Sequence, residues 1–205
     1  MLFLAPKDPR LNQISEKVPV DEIQSEPIQS LIEQMFDIAF GETRDYTRSI
    51  LVGLAAPQIG IQKRIILVDL AATGIFTKDS KQNVPQIEAY INPEIIWRSE
   101  ETLLWREGCF STSRICGLVP RSARILVRAY DREGNQLEKE FHGYTARIFQ
   151  HEIDHLNGAR FPDRIEDDRH LHWVEEKELV EYRIEWANWQ KTYPRQKWIK
   201  MKNGL

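Results

Sequence analysis

His151-Glu152-Ile153-Asp154-His155 follows Tyr144-Thr145-Ala146-Arg147-Ile148-Phe149-Gln150 without a proline or an internal glycine. The run predicts a buried helix over about residues 144–157. On a helix, positions four apart share a face, so His151 and His155 can reach one metal ion. Glu152, beside the first histidine, is placed to handle the proton of an activated water. The plain alternative is a helix with two surface histidines and a solvated Glu-Asp pair. Gly158 is expected to stop the helix, as glycine commonly does at a C-terminus.

Two histidines need a third protein ligand. The chain continues His155-Leu156-Asn157-Gly158-Ala159-Arg160-Phe161. The further histidine of an HExxHxxGxxH metalloprotease is missing. The soft donors elsewhere are Cys109 and Cys116. Cys109 stands in Glu107-Gly108-Cys109-Phe110-Ser111, where glycine lets backbones approach closely. One thiolate and two imidazoles would leave one position open, a catalytic arrangement. A buried apolar cysteine is the competing reading of that position.

A third segment is Gly53-Leu54-Ala55-Ala56-Pro57-Gln58-Ile59-Gly60. Its small residues admit a second backbone or a substrate. Gln58 can donate hydrogen bonds without carrying charge, which suits a developing oxyanion. A packed turn before a strand would use the same residues.

Taken in order, Gly53 to Gln58, Glu107 to Ser111 and Gln150 to His155 resemble the three motifs of the peptide deformylase family. The likeness extends over roughly residues 1–177 and includes Ala5-Pro6-Lys7-Asp8-Pro9-Arg10-Leu11, Ile91-Asn92-Pro93 and Leu118-Val119-Pro120-Arg121. It implies that Cys109, His151 and His155 hold one divalent metal ion and that Glu152 is the general base. It assigns oxyanion donation to the Gln58 side chain and the Phe110 N–H. A substrate peptide would add as a strand beside Val52 and Gly53, with Tyr144 and Ile148 walling a methionine pocket. The implied reaction removes formyl from the N-terminal formyl-methionine of new polypeptides. The implied ion in the cell is Fe2+, with Zn2+, Ni2+ and Co2+ also suited to the donors. Ser113-Arg114 replaces the usual Pro-Gly, Cys116 takes a position often held by arginine, and Leu51 one commonly held by glycine. These departures are expected to face the substrate groove. Two other readings stay open: an HExxH metalloprotease that does not need Cys109, and a deformylase-like protein that binds metal or a nascent chain without turnover.

The chain has 205 residues, 41% hydrophobic and 29% charged, enough for one sizeable core. A net charge of −3 gives no global basic field for nucleic acid. Two cysteines make no disulfide framework, which favours a reducing compartment. No apolar run is long enough to span a membrane. The cytoplasm is the expected location, with N-formylated peptides and nascent chains as partners.

The remaining patterns predict an α+β fold: short antiparallel strands surrounding a central metal-binding helix, with an additional C-terminal helix. Ile28, Leu31, Ile32, Met35, Phe36 and Ala39 form a helical stripe over residues 26–40, with Ser25 as N-cap. Residues 41–49 read as a polar connection and 71–86 as loop. Residues 64–70 read as a strand, 89–92 and 95–97 as strand broken by Pro93, and 123–130 with 137–141 as a hairpin. Residues 1–177 form the catalytic domain, and 178–205 a helix and tail that is not an independent domain. Leu179, Tyr182, Arg183, Trp186 and Trp189 suit one helix face, which Pro194 should end. Residues 191–202 carry Lys191, Arg195, Lys197, Lys200 and Lys202 as a basic tail, expected to lie in solvent and able to touch the phosphate-rich ribosome surface transiently.

Overall fold

In the computed structural model, which describes residues 3–41, 51–75 and 84–205, the elements in chain order are helix α1 (Glu26–Phe40), strands β1 (Gly53–Ala55), β2 (Ile65–Asp69), β3 (Ile87–Arg98), β4 (Thr102–Gly108), β5 (Ile115–Ser122), β6 (Arg124–Tyr130) and β7 (Gln136–His142), helix α2 (Gly143–Leu156), strand β8 (Leu171–Trp173), and helices α3 (Leu179–Glu185) and α4 (Arg195–Lys202). Among the described residues the strands form two antiparallel sheets, ordered β1-β2-β3-β6-β7 and β4-β5-β8. No helix among these residues is long and apolar enough to cross a membrane.

The larger sheet is covered on both faces, and β2 shows why. All five of its residues are buried. Alternate side chains of a strand point to opposite faces. Ile65 and Leu67 join Ile32 and Met35 of α1 and Leu54 of β1. Ile66 and Val68 join Phe149 and Ile153 of α2, with Tyr90, Val127 and Phe141. Helix α2 therefore runs through the middle of the molecule, with the smaller sheet beyond it.

Several local expectations change. Ser25 occupies the N-cap position of α1 with extended backbone, but its side chain makes no capping hydrogen bond. Pro93 does not break the strand, because β3 passes through it on a register shift between Ile91 and Glu94. The distortion is held from outside: Asn92, at φ 52°, exchanges hydrogen bonds with the Val18 N–H at 2.9 Å and the Val18 carbonyl at 2.7 Å. In the 131–135 turn of the β6–β7 hairpin, Asp131 Oδ1 accepts from the N–H groups of Glu133 (3.0 Å) and Asn135 (2.8 Å). Of the connections expected at 41–49 and 71–86, residues 42–49 and 76–83 lie outside the described residues; 71–75 and 84–86 are irregular.

The C-terminal reading needs the largest correction. The helix begun at Leu179 ends at Glu185, passes through a 3-10 turn at Trp186–Asn188, and gives way to extended chain. Pro194 starts a helix here, as the N-cap of α4, where its missing N–H costs nothing. The basic tail does not hang in solvent. Trp198 is 0% exposed and packs with Ile115, Val119, Phe161, Ile165 and Leu171. Its Nε1–H donates to Asp163 Oδ1 at 2.8 Å, and Lys202 Nζ donates to the other oxygen of Asp163 at 2.6 Å.

Candidate metal and catalytic site

The site forms where β4 ends against α2. Cys109 follows the last residue of β4 and caps the 3-10 turn Phe110–Thr112. The turn is closed by the Thr112 hydroxyl, which donates to the Cys109 carbonyl at 2.9 Å. Across from it, α2 presents His151 and His155 on one face, their rings 5.1 Å apart. One donor atom from each of Cys109, His151 and His155 lies within 4.8 Å of the others, and Cys109 Sγ is 3.3 Å from His155 Nε2. Cys116 is not part of this group.

The charges of the corner suit a cation. Burial holds His155 well below its ordinary pKa, so it offers a lone pair. Burial opposes protonation of His151 too, yet hydrogen bonds to Cys109 and Glu107 outweigh it and hold that imidazole well above its usual range. Positive charge is favoured at a point shared by sulfur and imidazole, and S,N,N donors match a borderline divalent ion.

Glu152 lies on the neighbouring face of α2, 4% exposed, and its Oε2 has no hydrogen-bond partner among the described residues. Burial raises its carboxyl, pushed up to about 7 against the opposing effect of His151. A Cβ on Gly53 would sit 2.4 Å from Glu152 Oε1 and 2.8 Å from Ile148 Cγ2. The glycine of β1 is thus required by the glutamate of α2, and Gly53, Ile148 and Glu152 meet at one place. Val52 is exposed beside it. Tyr144 lies one helical turn away from Ile148, under Gly74 of the 71–75 segment, where a Cβ would meet its ring at 2.4 Å.

Gln58 is buried in the 3-10 turn Ala56–Ile59 after β1. Its Oε1 accepts from the Ala55 N–H at 2.8 Å, which turns Nε2 toward Cys109 Sγ (3.3 Å) and Ser111 Oγ (3.4 Å). The Phe110 side chain is exposed and stacks on Phe3 with ring centroids 4.7 Å apart.

The solvated Glu-Asp pair, the bland alternative for the motif helix, is absent: Asp154 is buried with Glu152. Reading the motifs missed the ionic network that holds α2. His151 Nδ1–H donates to Glu107 Oε2 at 2.8 Å, leaving the other ring nitrogen for the site. Glu107 also accepts from Arg121 in a fork at 3.0 and 3.0 Å and from Arg147 at 2.6 Å. Arg121 bridges to Asp154 at 2.5 Å, and Arg164 reaches the other Asp154 oxygen at 2.5 Å. Burial would raise both carboxyls, but Arg121 and the neighbouring donors hold Glu107 and Asp154 below their ordinary values. Arg147 was the available signal. It precedes His151 by one helical turn, on a helix read as buried, and a buried cation demands a partner.

Three of the departures from the family pattern have contacts of their own. Arg114 pairs with Glu175, just past β8. Cys116 packs with Val174 and Tyr182, its thiol pushed up to about 12 by burial. Leu51 is buried in the core against α1. Among the described residues, no partner explains why Ser113 adopts φ 59°.

Residues 3–170 match the family described as Polypeptide deformylase. A peptide deformylase of Brachyspira hyodysenteriae is 40% identical over 159 residues, 78% of this chain and 77% of that one. The class I type b peptide deformylase of Acinetobacter baumannii, solved with Met-Ala-Ser bound, superposes with a TM-score of 0.67 at 31% identity, over 80% of this chain and 96% of that one. The Ehrlichia chaffeensis peptide deformylase gives 0.65 at 29% identity, over 91% and 94%. With a Cys-His-His cluster at the matching motifs, the chain belongs to the peptide deformylase family.

Proposed function

We propose that this protein removes the formyl group from N-terminal formyl-methionine of newly made polypeptides, releasing formate and a free amine, with Cys109, His151 and His155 holding one divalent ion. The observation that carries this reading is the convergence of one sulfur and two imidazoles within 4.8 Å, beside the unpartnered carboxylate of Glu152. When bound, the ion supplies Lewis-acid activation at that corner. Iron(II) is the ion proposed for the cell; zinc, nickel and cobalt suit the same donors.

The chain's own groups do the rest. Glu152, with its carboxyl near 7, takes a proton from the attacking water and returns it to the leaving amine. Gln58 Nε2 and the Phe110 N–H donate to the oxyanion as it develops. Glu107 keeps the His151 ring oriented. Strand β1 ends its sheet among the described residues, so a peptide can add along Val52 and Gly53 through main-chain bonds. Such docking tolerates varied sequence, while Tyr144 and Ile148 select methionine. The relative from Acinetobacter baumannii holds Met-Ala-Ser, a peptide of the kind this groove would release.

Metal content of anaerobically prepared wild type, Cys109→Ala and Cys116→Ala tests the site, together with turnover of formyl-Met and acetyl-Met peptides. The expected result is loss of most metal only in Cys109→Ala, and formyl-Met processed far faster than acetyl-Met. Equal metal in Cys109→Ala and wild type, or equal rates on both peptides, would overturn the reading.

A transient ribosome contact in the cytoplasm follows from such a substrate. Of the five basic residues named above, Lys191 pairs with Glu178 and Lys202 with Asp163, while Lys197 and Lys200 stay exposed. Replacing Lys197 and Lys200 with Ala should weaken ribosome co-sedimentation at low salt and leave turnover of short peptides unchanged. Unchanged sedimentation would remove α4 from that contact.

A further inference from the structure

Arg160 is a buried cation the mechanism does not use. It is 0% exposed. Its Nη1 donates to the Pro6 carbonyl (2.5 Å) and the Ser111 carbonyl (3.1 Å), and its Nη2 to Asn12 Oδ1 (2.9 Å). Its Nε finds no partner among the described residues. The guanidinium carbon instead lies 4.5 Å over the ring of Trp198. A cation stacked on an indole is stabilised by the ring's negative face, the more so when desolvated.

Trp198 is fixed independently. Asp163 holds the indole N–H, the Arg160 main-chain N–H at 2.9 Å, and Lys202. Asn12 Nδ2 donates to the Lys202 carbonyl at 3.0 Å, closing α4 onto the N-terminal segment. On the other side of Arg160 stands the cysteine turn. Arg160 holds the Ser111 carbonyl, and the Ser111 N–H points at Cys109 Sγ at 3.4 Å. Cys109 itself packs against the cluster that contains Trp198. A continuous line of contacts runs from α4 through Arg160 and Ser111 to the thiol.

We propose that Trp198 and Arg160 are positioning residues for the metal site: α4 clamps Arg160, and Arg160 sets the turn that aims Cys109. The family match ends at residue 170, so one half of the clamp comes from outside it. This inference rests on the metal reading given above, and its test separates the two.

Full-length wild type, Trp198→Phe, Trp198→Ala and Arg160→Lys are compared. In metal-free protein, iodoacetamide labelling of Cys109 is followed by mass spectrometry, with buried Cys116 as the internal gauge of folding. Trp198→Ala and Arg160→Lys should label Cys109 about tenfold faster while Cys116 stays protected, the mark of local opening. Trp198→Phe keeps a ring over Arg160 and should stay near wild type. In cobalt-loaded protein the thiolate-to-cobalt absorption band should weaken or shift in the first two variants. Their kcat should fall about 10–100-fold with little change in KM, as for a misplaced site. Wild-type labelling and a wild-type band in both Arg160→Lys and Trp198→Ala would overturn the clamp. Absence of a cobalt band in wild type would sink the metal reading instead, and the labelling would still decide the clamp.

Discussion

Glu152 Oε1 lies 2.4 Å from where a Cβ on Gly53 would stand, which places the base against the strand proposed to take the substrate. Its buried carboxyl resists ionisation, and that makes it an effective proton carrier near neutral pH. Glu152→Gln keeps the shape and removes the carrier. The expected outcome is full metal content, a folded protein and a turnover loss of about 10²–10⁴-fold. Turnover close to wild type would show that another group moves the proton. At this scale much was legible. HExxH spacing pointed to the two histidines, and the glycine before Cys109 marked a close approach. The reason for Gly53 was not legible, because it depends on a side chain 99 positions away. Nor was the role of Glu107, since nothing local in a strand says that its carboxylate will meet an imidazole of α2.

Helix α2 is held by its apolar stripe against the larger sheet and by buried ions on its other side. Glu107, Arg121, Arg147 and Asp154 are all buried, and their mutual attraction must offset the loss of water. Glu107 and Asp154 titrate in the unfolded chain near 4.5 and 3.8, and lower in the folded one. As pH falls below 4.5 the unfolded state binds protons first. The stabilisation is therefore complete above 4.5 and lost as pH drops through the depressed folded values. These two carboxyls should make the urea midpoint fall as pH drops below 4.5. Asp154→Asn should cost about 3–5 kcal/mol at neutral pH, as for a broken buried pair, and flatten the acid limb. An acid limb as steep in Asp154→Asn as in wild type would take that residue out of the account. Periodicity found α1, α2, β2 and the hairpin because each buries a regular face. It failed at Pro93, where the Asn92–Val18 bonds support a distortion no local rule anticipates.

The whole molecule is closed by its C-terminal segment. Composition alone made residues 191–202 a solvated basic tail, because one tryptophan among five cations carries no helical pattern. The structure spends that tryptophan in the core. Truncation after Tyr193 should cost about 3–5 kcal/mol, the range for losing a buried aromatic, and lower the melting temperature on the order of 10 °C. A melting curve unchanged by that truncation would mean that α4 only rests on the surface. Chain order gives this closure a temporal meaning. Synthesis runs from the N-terminus, so Gln58, Cys109, His151 and His155 are all made before Trp198. A nascent chain of this protein owns every proposed ligand before it owns the ring that steadies Arg160. A chain stalled before residue 198 would carry the ligands without the clamp, and the site would mature only once the later residues had emerged and folded back.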